Sequence, residues 1–354
     1  MTAGAVSARA WAVVEQSSGR LVAGSNVSRR LPMASTTKIM TALLAVESGR
    51  LDETITVPPE AVNVEGTSMG LQPGETIPLR DVVYGLMLES GNDAANTIAM
   101  TLDGSLESFA AHMNRKAAQL GLQDTHFMNP SGLDASGHYT TALDLARLGA
   151  IAMKNTDFRQ IAGTKRISVS YEGNPHGRTL VNHNRLLGSL DGVTGIKTGY
   201  TKMALRCLVT SATRGGVTLV VATLNDPNDW DDHTSLLADG FAQLHPQQVN
   251  VKGPAALSVV GGTRAKVALE LPAALTAALR DGETARAKVE IDLPRFVYAP
   301  VSVGQELGEA VCRVDGVKVA AAPICAKADV PLSPKPAGLW ARFANFWRSL
   351  FARR

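Results

Sequence analysis

Cysteine is scarce. The three residues, Cys207, Cys312 and Cys325, form no Cys-x-x-Cys pair, which excludes a zinc ribbon and a thioredoxin-type redox pair. Cys207 sits in an apolar run and reads as a core thiol. Cys312 and Cys325 can pair only if the chain reaches an oxidising compartment. Long apolar runs are missing too. No stretch of about 18 apolar residues occurs, so no transmembrane helix is expected. Residues 1–10 hold one arginine and no apolar h-region, so a signal peptide is not visible. A strong charge of one sign is also absent: the net charge of +3 is too small to point to nucleic acid. His126, His138, His176 and His183 are scattered without ligand spacing, and no metal or organic cofactor is required.

What is present is a chain of 354 residues, 45% hydrophobic and 19% charged. That is enough for two domains, one with a large core. Ala10–Val14 and Leu21–Ala23 read as strands around the Ser17-Ser18-Gly19 turn. After Pro32, the residues Ile39, Met40, Leu43 and Leu44 recur at helical spacing, and Gly49 supplies a stop. Residues 51–78 read mostly as loop. Leu79–Leu88 has helical spacing and breaks at Glu89-Ser90-Gly91-Asn92, after which Asp93 is a candidate cap for a second helix. A helix is expected from Leu106 to Leu120, and Thr141 opens another that runs to about Met153. Leu186–Gly195 reads as loop. Ala204–Ser211 and Val217–Leu224 read as strands joined across Gly215-Gly216, and Trp230–Leu244 as a closing helix.

The texture changes after His245. Residues 249–330 alternate in short β-prone pieces punctuated by Gly261-Gly262, Asp281-Gly282 and Asp315-Gly316. A small all-β module, a sandwich, is expected, and it carries no catalytic set. Pro331–Pro336 is a stiff linker. In residues 338–354, Trp340, Phe343, Phe346, Trp347, Leu350 and Phe351 fall on one side of a helix. Arg342, Asn345, Ser349 and Arg353 fall on the other, and no acidic residue occurs. Such a segment is too short to span a bilayer but suits its interface.

Three short motifs carry the chemistry. Ser35 and Lys38 stand three apart at the start of the apolar helix, so hydroxyl and amine share a face at the positive end of the helix dipole. Serine needs a base to become a nucleophile, and a partly desolvated lysine readily gives up its charge. Alone, Ser-x-x-Lys is common, and Ser35 could be only a cap. Ser90-Gly91-Asn92 follows on a helix–helix loop, and Lys197-Thr198-Gly199 on a strand. This ordered triple matches the pattern described for class A β-lactamases and penicillin-binding proteins, which has Asp where Gly91 stands in the second motif.

With Asn129-Pro130-Ser131-Gly132-Leu133, His138-Tyr139-Thr140 and Gly195–Thr201, the chain resembles the low-molecular-mass penicillin-binding proteins, more closely the serine-type D-Ala-D-Ala carboxypeptidases. The resemblance covers nearly the whole chain. It implies an α/β (α+β) fold: a β-lactamase/transpeptidase-like domain over 1–246, with an antiparallel sheet and a helical subdomain. A β-rich domain follows over 247–331, then a linker and amphipathic anchor over 332–354. It implies that Ser35 is the nucleophile, Lys38 its base, Ser90 a proton relay, and Asn92 a holder of Lys38 and substrate. It further implies that Lys197, in the substrate-binding set, supplies positive potential near Ser90 and the substrate carboxylate, that Thr198 hydrogen-bonds that carboxylate, and that Gly199 admits the substrate backbone. The N–H groups of Ser35 and Tyr200 would form the oxyanion hole. The implied partners are the peptidoglycan stem peptide, β-lactams as inhibitors and the membrane surface, and the implied location is the extracytoplasmic face of a bacterial cell membrane. A class A β-lactamase would need a deacylating glutamate before Lys197. Glu107 and Glu172 stand in that interval, neither in a Glu-x-x-Leu-Asn setting. A catalytically idle sensor on the same fold is a further possibility, against which every expected catalytic position is filled.

Overall fold

The computed structural model describes residues 6–171 and 174–334, with backbone only for residues 171 and 174–176. The chain divides into two compact units, residues 1–246 with 278–281, and residues 247–277 with the chain from 282.

The first unit begins with strands β1 (Ala10–Glu15) and β2 (Leu21–Ser25). A 3-10 turn, Ala34–Thr37, leads into helix α1 (Lys38–Glu47). Every residue of α1 from Lys38 to Val46 is buried, as a helix apolar on all sides requires. The stretch expected as loop contains only short pieces: β3 (Thr54–Thr56), α2 (Pro59–Val62) and β4 (Thr76–Pro78). Helices α3 (Leu79–Leu88), α4 (Asn92–Asp103) and α5 (Leu106–Gln119) follow. Thr141 caps α6 (Ala142–Ala152), accepting the Asp144 N–H at 3.1 Å. Asn155 likewise caps α7 (Thr156–Gly163). Hairpin β5 (Arg166–Tyr171) and β6 (Asn174–Val181) leads to β7 (Val193–Thr201), β8 (Leu205–Arg214), β9 (Val217–Leu224) and helix α8 (Asp229–Gln243). The expected loop over Leu186–Gly195 therefore ends early, because Val193 already pairs with Ala212 on β8.

The antiparallel sheet has the order β2-β1-β9-β8-β7. Its two faces follow from period-two alternation. Ala10, Ala12 and Val14 of β1 pack with α1, α6 and the helical region, whereas Trp11 and Val13 pack with Leu236 and Leu237 of α8. Helices on both faces leave β7 as one edge strand, with ladder bonds on only one side.

In the second region β10 (His245–Asn250) pairs with β13 (Ala274–Leu279). The main sheet is built from β11 (Ala256–Val260), β12 (Lys266–Glu270), β14 (Ala287–Asp292), β15 (Phe296–Tyr298), β16 (Glu306–Val314) and β17 (Val317–Ala326). Its order is β14-β16-β17-β12-β11-β15. The alternation on β11 and β12 is buried-in, exposed-out at every residue. Cys312 and Cys325 do not pair: both are free. Cys312 faces Ala320 across the β16–β17 ladder while Cys325 faces Glu306, so the two thiols lie several residues apart along it, beyond disulfide reach. The amphipathic stretch 338–354 lies outside the described residues.

Candidate active site

The site begins with a strained turn. Ala34 has φ +48°, a left-handed conformation uncommon outside glycine. Thr37 Oγ1 donates to the Ala34 carbonyl at 2.8 Å, and His138 Nε2 stands 2.8 Å from the same hydroxyl. His138 Nδ1 accepts the Met128 N–H at 2.9 Å, so Nε2 carries the proton and donates to Thr37. Burial pushes the His138 imidazole down to about 4, which keeps that neutral tautomer in place. From the other side, Gly132 approaches so closely that a Cβ would lie 2.0 Å from the Ala34 carbonyl oxygen. Asn129 holds this second turn, its Oδ1 accepting the Gly132 N–H at 2.7 Å. Ser35 thus sits in the 3-10 turn just before α1, not within the helix proper.

Lys38 is completely buried. Its Nζ lies 2.8 Å from Ser35 Oγ, 2.7 Å from Asn92 Oδ1 and 2.7 Å from the Ser131 carbonyl oxygen. The two carbonyl-type oxygens can only accept, and the amide orientation of Asn92 is fixed because its Nδ2 donates to the Glu65 carbonyl at 2.6 Å. A neutral amine has two N–H donors and one lone pair. The donors satisfy Asn92 and Ser131, which leaves the lone pair for the Ser35 hydroxyl proton. Burial, followed by the charge of Lys197, holds the Lys38 amine well below its ordinary value. The environment therefore selects the base form.

Ser90 and Asn92 arrive on the turn between α3 and α4. Ser90 has φ +62°, and its carbonyl accepts from Thr67 Oγ1 at 2.6 Å. Asp93 is not the helix cap expected from its position; Gly91 is. Asp93 is fully buried and points back to the 65–71 loop, accepting N–H bonds at 3.0 Å each from Met69, Gly70 and Leu71. A buried carboxylate needs such donors, and the loop it collects supplies the Glu65 carbonyl that orients Asn92.

Edge strand β7 forms the opposite wall. Thr198, Gly199 and Tyr200 line the cleft, together with Ser35, Ser90, Asn92, Gly132 and Leu133, and its volume is about 400 Å³. Gly199 is required by space: a Cβ there would meet the Ser35 N at 3.0 Å and the Thr36 N at 3.1 Å. Lys197 does not line the cleft. It is buried beneath it, 1% exposed, with Nζ donating to the Thr198 carbonyl at 3.0 Å. Burial lowers its amine to about 7, partly countered by Glu89.

Several lining residues have no motif to announce them. Arg206 pairs with Asp229 at 2.8 Å, its guanidinium lies 5.6 Å from the Trp230 ring centroid, and Arg185 lies 6.0 Å from it. The Ser131 carbonyl and the Glu65 carbonyl are backbone groups, which no side-chain pattern identifies. Of the histidines, His138 supports the nucleophile turn, His126 Nδ1 contacts the Gly137 carbonyl at 2.8 Å, and His183 lines the cleft. The His176 side chain lies outside the described residues.

The family model described as D-alanyl-D-alanine carboxypeptidase matches residues 1–228. The chain belongs to this family. A second model, the C-terminal domain of penicillin-binding protein 5, matches residues 246–332. The chain is 32% identical to D-alanyl-D-alanine carboxypeptidase DacF of Bacillus subtilis, covering 91% of this chain and 86% of that protein. It is also 32% identical to DacC of Escherichia coli, over 90% and 83%. Among solved structures, penicillin binding protein 5 from Haemophilus influenzae superposes with a TM-score of 0.70 at 26% identity, covering 94% of this chain and 99% of that one. The D-alanyl-D-alanine carboxypeptidase of Mycobacterium tuberculosis gives 0.65 at 35% identity, over 68% and 94%. The α+β catalytic fold followed by an all-β domain is thus shared along the chain.

Proposed function

We propose that Ser35, Lys38, Ser90 and Asn92 carry out the family's reaction in this cleft, with β7 as the substrate-binding strand. The chain is a serine D,D-carboxypeptidase that removes the terminal D-alanine of peptidoglycan stem peptides. The observation that carries the assignment of roles is the bonding of Lys38: two acceptors for its two N–H groups, and the lone pair left for Ser35.

Ser35 Oγ attacks the carbonyl carbon between the last two D-alanines as its proton passes to Lys38 Nζ. The oxyanion is received by the N–H groups of Ser35 and Tyr200, an interaction usually worth about 3 kcal/mol per donor in the barrier. The proton then moves by way of Ser90 to the leaving amine, the C–N bond breaks, and D-alanine departs. Water attacks the remaining ester as its proton passes to Lys38, which returns that proton to Ser35 Oγ as the ester C–O bond breaks and the shortened peptide leaves. The substrate backbone adds to the free edge of β7 as a further strand, which the missing side chain of Gly199 permits. The Thr198 hydroxyl donates a hydrogen bond to the terminal carboxylate, while buried Lys197 contributes positive potential from below. Arg185 adds positive charge to the lining of the cleft, while the Arg206 guanidinium is paired with Asp229.

β-Lactams acylate the same serine. The enzyme works on the extracytoplasmic face of the cell membrane, attached peripherally through residues 338–354, with catalytic residues in 1–246 and the β-rich domain in 247–331. Incubation with benzylpenicillin followed by peptide mass mapping tests the site: one adduct on the Ser35 peptide is expected. Absence of any adduct, or an adduct elsewhere, contradicts it.

A further inference from the structure

Far along the chain from the catalytic motifs, the second unit exposes an apolar strip on one edge of its six-stranded sheet. Phe296, Tyr298, Val260 and Leu332 are 43%, 70%, 46% and 60% exposed. Register places the first three on one face. Edge strand β15 runs parallel to β11, with Ser258 opposite Phe296 and Val260 opposite Tyr298. Residues directly opposite share a face and alternate with period two, and the intervening Leu257 and Val259 are buried on the other side. The Phe296 and Tyr298 rings pack edge to face with centroids 5.4 Å apart. Leu332 joins the strip through a bridge between its backbone and Gly262.

The fringe of this strip is basic. Lys266 stands opposite Ser258 on the same face, Arg295 directly precedes Phe296, and Arg264 lies in the turn between β11 and β12; all three are exposed. None of the three forms an ion pair among the described residues. The neighbouring acid Asp329 is engaged by the Val303 N–H at 2.7 Å. An exposed edge strand carrying large apolar side chains invites association unless something covers it.

The C-terminal stretch of the sequence indicates the covering surface. Leu332 precedes Gly338 by six residues, a reach of at most ~20 Å. From Gly338 to Arg354 the chain has seven large apolar residues, four arginines and no acid, the composition of an interfacial segment. Whatever surface holds 338–354 therefore lies close to Leu332. Aromatic rings with a cationic fringe match the headgroup region of an anionic bilayer, where ring and cation are satisfied at once.

We propose that Val260, Phe296, Tyr298 and Leu332, with Arg264, Lys266 and Arg295, form a second membrane-docking surface for anionic lipid. It rests on the attachment through 338–354 proposed above and extends it from a tether to a two-point contact. Stable surface binding generally requires two such signals.

The test uses the full chain and vesicles of phosphatidylglycerol with phosphatidylethanolamine, compared with pure phosphatidylcholine, read by co-sedimentation. The double variant Phe296→Ser/Tyr298→Ser should partition about tenfold more weakly onto both vesicle types, from loss of buried apolar area. The triple variant Arg264→Gln/Lys266→Gln/Arg295→Gln, confined to exposed positions that do not bear on folding, should lose at least about tenfold on the anionic vesicles only. Parent and variants should keep the same D-alanine release. If the parent binds vesicles and both variants bind equally well, the docking surface is refuted while the 338–354 attachment stands. If the parent binds neither vesicle type, both fail. If the strip variants instead abolish a dimer seen by sedimentation equilibrium, with vesicle binding unchanged, the strip covers a second copy and the lipid assignment is overturned.

Discussion

The two units treat buried charge in opposite ways. Among the described residues the second unit buries one charged side chain, Glu283, and its strands β11 and β12 alternate exposed and buried residues throughout. The first unit buries Lys38, Asp93, Lys197, Asp226 and Asp229, among others, beside an apolar core. Burial of an ionisable group costs stability unless it is paired or neutralised. The second unit avoids that cost and needs only its sheet pattern. The first accepts it where the cost sets protonation: the same desolvation that makes Lys38 expensive makes it a base at neutral pH.

The sharpest way to break this comparison is to restore charge at Lys38. An arginine cannot lose its proton, so Lys38→Arg should lower the rate of penicillin acylation by about a thousandfold or more, with no recovery at high pH. Measured by stopped-flow or mass-resolved acylation, a variant that recovers above pH 9 would contradict a base role. Next in size is Gly199→Val. Its Cβ would stand 3.0 Å from the Ser35 N, so kcat/KM should fall about a hundredfold from displacement of strand against nucleophile, while the melting temperature changes little.

Stability against pH sharpens the contrast further. Lys197 binds its proton less tightly folded, at about 7, than its ordinary 10.5. Between those values the unfolded chain holds more protons, so this lysine makes stability rise with pH through that window. Lys197→Met should remove that rise and raise stability at pH 7, at the expense of activity. Denaturant melts at pH 7 and pH 9 read both. The opposite sign belongs to Asp226, which burial and the neighbouring Asp232 raise to about 7. One hydroxyl, Ser7 Oγ, lies 2.9 Å from Asp226 Oδ1 and 2.7 Å from Asp232 Oδ2; it cannot donate to both, which favours a proton on Asp226. Its stabilising contribution is present below about 4 and lost as pH rises through 7. Asp226→Asn should therefore gain about 1 kcal/mol at pH 8 and nothing at pH 4. No comparable pH effect should arise from core substitutions in the second unit.

How much of this was legible in the sequence divides along the same line. Regular alternation exposed the β-rich module, and 3.6-residue spacing gave α1, α3, α5 and α8 nearly to the residue, because both periods are set by burial of one face. The α7 helix and the β5–β6 hairpin, short and polar-faced, carried no such period. Ser35, Lys38, Ser90, Asn92 and the β7 residues were readable as spacing and order. Their setting was not. Asp93 reads locally as a cap but is bonded to the amides of Met69, Gly70 and Leu71, a long-range contact. Arg206 and Trp230 reach the cleft from the starts of β8 and α8, and Arg185 from the segment between β6 and β7, all distant in sequence from the motifs. Lys197 reads from its motif as a source of positive potential, but its burial beneath the cleft, 1% exposed, has no sequence signal.

The most direct test of the central claim is free D-alanine released from a peptide ending in D-Ala-D-Ala, measured for the parent and for Ser35→Ala. Release by the parent that vanishes in Ser35→Ala, with an unchanged melting temperature, is the result expected of a serine nucleophile served by Lys38. Equal release from both proteins would contradict it.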